Sequence, residues 1–81
     1  MSTRETLKTA FVQALGIDCD FPAGELVYRQ IPQWDSMAHM ILVQEIESAF
    51  NIMLSTDQVI DMSSFDKALE ILSQHGIDPA A

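Results

Sequence analysis

Leu7, Ala10, Phe11, Ala14 and Leu15 recur at intervals of three and four, which places them on one stripe of a helix that ends at Gly16. Ser2, with Glu5 three positions on, has the spacing of a capping box and sets the start of that helix. The pattern then breaks. From Ile17 to Trp34 there are two prolines, Gly24 and three aromatics but no sustained period. Such a stretch is long for a connection inside a small domain, so its apolar residues must anchor it. Phe21, Leu26, Val27, Tyr28 and Ile31 are the expected anchors, while Pro22 and Pro32 interrupt any helix longer than a turn or two.

Helical periodicity resumes at about Ser36 and runs to Phe50. At 100° per residue, Leu42, Val43, Ile46 and Phe50 share the side expected to face a core. Ser55 and Gln58 repeat the capping-box spacing ahead of Val59, Ile60 and Met62, and a new start signal at Ser63 and Asp66 follows so closely that only a short helix fits between. The last stripe, Phe65, Ala68, Leu69 and Leu72, stops near Gly76, with Asp78, Pro79, Ala80 and Ala81 expected as a frayed tail. The expectation is a single all-α domain spanning residues 1–81. It is a small four-helix bundle of three main helices and a short third one, with a long ordered loop after the first.

A domain of 81 residues has room for one small core and little for a two-walled catalytic cleft. Four Lys and Arg against twelve Asp and Glu give a net charge of -8, which opposes phosphate-backbone binding and favours partners with basic surfaces. Cys19 is the single cysteine, so neither an internal disulfide nor a cysteine metal cluster can form. It reads as a buried or bystander thiol, since no cationic neighbour adjoins it in sequence. The polar N-terminus and the absence of a run of about 20 apolar residues point to a cytoplasmic protein without a membrane span. Asp18 and Asp20 resemble the start of a calcium loop, but Pro22, the late Gly24 and Arg29 at the last ligand position do not fit one.

The chemistry concentrates where irregular chain meets the second helix, at Gln33-Trp34-Asp35-Ser36-Met37. One hydroxyl sits there at a helix N-terminus, where a negatively charged ester would be favoured by the helix dipole and the free first-turn amides. Asp35 can cap the first turn. By itself Ser36 could equally be an ordinary N-cap serine. His39 lies three residues on, but the wheel turns it toward Ile46, so a structural histidine is expected instead of a serine–histidine pair. There is no Gly-x-Ser-x-Gly elbow, and no hydrolase is expected.

The Asp-Ser-Met step before an amphipathic helix, midway along a short acidic helical chain, resembles the acyl carrier protein family, and the likeness extends over nearly the whole chain. It implies a carrier with no turnover of its own. Ser36 would bear a covalent 4'-phosphopantetheine arm attached by a phosphopantetheinyl transferase, and Asp35 would position the serine. The cargo would be an acyl thioester of fatty-acid, polyketide or related specialised biosynthesis, or an aminoacyl group in a peptidyl carrier. The partners would be acyl- or aminoacyl-loading and acyl-processing enzymes with basic or apolar docking patches, visited by a monomer. Met37 replaces the family's commoner leucine, a swap of similar volume. Met37, Ile41, Gln44 and Ser48 share a strip opposite the core side, and Ile41 stands where fatty-acid carriers usually place an acid; it either docks partners or packs under a loop. Glu47 matches an acidic docking position, Asp57 and Asp61 extend the acidic border, and a solvated helix face is the competing reading. Leu42, Ile46, Val59, Met62, Ala68 and Leu69 would line an acyl cleft, or form plain core. A rival from another class is an unmodified helical interaction module that binds through the Met37 and Ile41 strip.

Overall fold

Every helix begins at a residue whose side chain accepts a hydrogen bond from a first-turn amide. The computed structural model describes residues 2–78 and contains four α-helices: α1 (Thr3–Leu15), α2 (Ser36–Phe50), α3 (Thr56–Asp61) and α4 (Phe65–Gln74). Their caps are Ser2, Asp35, Ser55 and Ser64. The capping box anticipated at Ser55 is complete, with Gln58 returning its side-chain oxygen to the Ser55 amide at 3.1 Å. α1 ends at Gly16, which takes the left-handed conformation (φ 66°) that costs glycine nothing. α2 ends at Asn51, the residue after glycine best suited to that region. The described residues form no strand, and no helix among them is long and apolar enough to cross a membrane.

The fourth helix starts one residue later than its sequence signal. Ser63 gives its carbonyl to the Tyr28 amide (2.8 Å) and its amide to the Asp61 carbonyl (2.8 Å), so its backbone belongs to the turn before the helix. Ser64, extended and bridged antiparallel to Val27, is free to cap, and its hydroxyl accepts from the Lys67 amide. At the far end, Asp78 is tied down where fraying was expected: its carbonyl accepts from the Thr3 hydroxyl at 2.8 Å. Pro79, Ala80 and Ala81 lie outside the described residues.

The core gathers Leu7, Ala10, Phe11 and Leu15 from α1, Leu42, Val43 and Ile46 from α2, and Phe65, Ala68, Leu69, Ile71 and Leu72 from α4. Phe50 reaches it only half-buried. The segment between α1 and α2 contributes Ile17, Leu26 and Trp34 and contains a 3-10 turn at Ala23–Glu25. Of the five expected anchors only Leu26 is fully enclosed. Trp34, flanked in sequence by polar Gln33 and Asp35, is the largest fully buried side chain and lies edge-on to Phe11, ring centroids 5.1 Å apart. Burying an indole in this way is worth about 3–5 kcal/mol relative to alanine. It also fixes the residue two places before Ser36. Lys8 fastens the start of the same segment by donating to the carbonyls of Cys19 and Phe21.

Candidate functional site

Asp35 has extended backbone (φ -107°, ψ -173°), so the helix proper begins at Ser36. The Asp35 carboxylate accepts from the Ala38 amide at 2.9 Å, and its carbonyl accepts from the His39 amide at 2.9 Å. The cap is therefore supplied by the aspartate. Ser36 stands at the first helical position, exposed, with its hydroxyl doing none of the capping. The amides of Ser36 and Met37 precede the first intrahelical acceptor and point out of the helix end as donors.

The Ser36 hydroxyl lies within hydrogen-bond distance of the phenol oxygen of Tyr28, at 3.0 Å. Tyr28 is held from several sides. Its amide bonds Ser63, and its ring meets Trp34 (5.9 Å, edge-on) and His39 (5.2 Å, tilted). Beyond it the chain turns through Arg29, whose φ of 65° is unfavourable for a side-chain-bearing residue, and the Arg29 amide closes the turn on the Trp34 carbonyl at 3.1 Å. Arg29, Ile31, Pro32, Trp34 and Asp35 line a hollow of about 230 Å³ beside the serine.

His39 faces inward. The Trp34 indole N–H donates to its Nδ1 at 3.0 Å, so Nε2 carries the proton and donates to the Val59 carbonyl at 2.7 Å. Both ring nitrogens are thus engaged away from Ser36, and the side chain links the loop, α2 and α3.

Along the outer strip of α2, Met37 is 77% exposed and Ile41 46%, which removes the alternative that Ile41 packs beneath a loop. Gln44 and Ser48 are exposed as well. Met40, absent from the anticipated strip, is 55% exposed and flanks Met37 on the side away from Ile41 at helical spacing. Glu47 does not stand free as an acidic docking residue: it is half-buried, and its carboxylate accepts from the Leu54 amide at 2.9 Å, bracing the turn after α2. Asp57 and Asp61 are exposed. Leu42, Ile46, Met62, Ala68 and Leu69 are buried and Val59 half-buried, all within the continuous core. A groove of about 360 Å³ lies instead along α1, between Glu5, Lys8, Val12 and Cys19. Cys19 is exposed, contrary to a buried thiol, and shares its turn with Asp18 and Asp20, where the Asp20 amide bonds the Asp18 carboxylate at 3.2 Å in an ordinary Asx turn.

Spacing alone located Ser36, Asp35 and the inward turn of His39. Tyr28 was placed among the anchors but not beside the serine, because eight residues of aperiodic chain separate the two. No family model matches this chain, and neither does any curated protein or any solved structure.

Proposed function

We propose that this chain is a carrier whose Ser36 accepts a 4'-phosphopantetheine arm, as its likeness to acyl carrier proteins implies. The observation that supports this most is the division of labour at the start of α2: Asp35 caps the helix, leaving the Ser36 hydroxyl exposed and outside the cap. The surroundings fit the group. A phosphodiester on Ser36 Oγ would meet the free amides of Ser36 and Met37 at the positive end of a helix of 15 residues. When attached, the arm supplies the thiol on which an acyl cargo is held as a thioester. Asp35 keeps the first turn in place beneath the serine, and Met37, Met40 and Ile41 give partner enzymes an apolar contact beside the arm. In this reading the four helices are the family's bundle, the segment before α2 is its long ordered loop, and the core around Leu42, Ile46, Val59, Met62, Ala68 and Leu69 parts to admit an acyl chain. The protein works as a cytoplasmic monomer passed between a phosphopantetheinyl transferase and acyl-loading or acyl-processing enzymes with basic or apolar patches.

The test is intact mass after incubation with coenzyme A, magnesium and a broad-specificity phosphopantetheinyl transferase, run alongside Ser36→Ala. One phosphopantetheine increment is expected on the wild type and none on the variant. A folded wild type that gains no mass with any of several transferases overturns the carrier. The exposure of Met37 and Met40 then favours the second reading, an unmodified module that binds a partner through this strip and keeps that binding in Ser36→Ala. Peptidyl and acyl carriers are separated by whether aminoacyl-loading or acyl-loading enzymes charge the modified chain.

A further inference from the structure

The geometry points to Tyr28 as a positioning residue for Ser36, an inference that rests on Ser36 being the attachment serine. The phenol holds the serine hydroxyl before modification and donates a hydrogen bond to the phosphodiester after it. Tyr28 is the single tyrosine of the chain, and its oxygen lies 3.0 Å from Ser36 Oγ in a pair where either hydroxyl can donate. The phenol comes from a stiff mount: the amide of Tyr28 is fixed to Ser63, the ring packs against both members of the stacked Trp34 and His39 pair, and Arg29 closes the turn behind it. A hydroxyl held by so constrained a partner has fewer rotamers to lose on reaching the transition state.

Attachment removes the ambiguity of the pair. A bond forms between Ser36 Oγ and the phosphorus that carries pantetheine in coenzyme A, and the P–O bond of the pyrophosphate breaks. Adenosine 3',5'-bisphosphate leaves with the electron pair, and the serine proton passes to a base of the transferase. Ser36 Oγ then has no hydrogen to give, so the phenol becomes the donor, aimed at the ester or phosphoryl oxygen.

Tyr28→Phe keeps the ring and deletes the oxygen. With an unchanged melting curve, the variant is expected to take the arm with kcat lowered about threefold to tenfold and KM for the carrier nearly unchanged, the signature of an interaction tightened in the transition state. The ³¹P resonance of its attached arm should differ from that of the wild type. Should Tyr28→Phe not fold, 3-fluorotyrosine in the wild-type chain makes the phenol a stronger donor without removing it, and the ³¹P resonance is again expected to move. Wild-type kcat in folded Tyr28→Phe, or a ³¹P signal indifferent to fluorination, overturns the positioning role. A wild type that takes no arm at all overturns the carrier reading and this inference with it, and the mass measurement shows which has failed.

Discussion

Two neighbouring residues divide a task at the start of α2 that one often performs alone: Asp35 supplies the acceptor for the Ala38 amide, and Ser36 keeps its hydroxyl outside the helix. His39, one turn on, works inward. Its ring is the middle of a chain from the Trp34 indole to the Val59 carbonyl, and Trp34 itself is wholly buried. His39→Ala leaves the indole N–H without its acceptor and is expected to destabilise the fold by about 2–4 kcal/mol in urea titration, through one unsatisfied buried donor and two lost hydrogen bonds. Because neither ring nitrogen faces Ser36, arm attachment to the folded fraction should survive; loss of attachment in a variant of wild-type stability would contradict this. The places of Asp35, Ser36 and His39 were legible in the sequence because they follow from position along one helix. The Tyr28 to Ser36 and Glu47 to Leu54 hydrogen bonds were not, since each depends on how irregular chain folds back.

Helices as short as α3 are not stable by themselves. Its six residues are held by outside contacts. Besides the capping box, the Gln58 amide nitrogen donates to the Gln74 side-chain oxygen at 2.9 Å, the Gln58 oxygen lies 2.9 Å from His75 Nε2, and His39 grips the Val59 carbonyl. The sequence indicated that this element exists because cap and stop signals are local, and it missed the first residue of α4 by one because two serines compete there. The end of α2 is marked just as locally, by Asn51 in the left-handed region with φ 54°. Asn51→Ala places a methyl-bearing residue without a polar side chain in that conformation and should lower stability by about 1 kcal/mol, whereas Asn51→Gly should leave it unchanged or raise it by up to about 1 kcal/mol. Chemical denaturation of both variants checks the sign, and equal destabilisation by the two would show that the Asn51 side chain matters more than its backbone angle.

Over the whole molecule, cations are scarce and several are spent internally. Lys8 serves backbone carbonyls, Arg4 lies over the Phe65 ring with 5.4 Å to its centroid, and Lys67 pairs with Glu70 at 3.5 Å. The acids are mostly exposed, among them Glu5, Asp18, Asp20, Asp57, Asp61 and Asp66. Fold class was legible from periodicity, since four stripes separated by caps leave few alternatives. The enclosure of Trp34 was not, because an isolated aromatic between polar neighbours has no period to reveal which way it points. The bond between Thr3 and Asp78 has a topological consequence. The first and last stretches of the described residues meet there, so the packing is expected to tolerate an opening placed elsewhere. A circular permutant, joined by a short Gly-Ser bridge between these ends and cut in the exposed Asp18–Asp20 turn, should melt in one cooperative transition and present Ser36 unchanged. A permutant that stays unfolded would mean that the order in which α1 and the following segment are joined is itself part of what holds Trp34 in place.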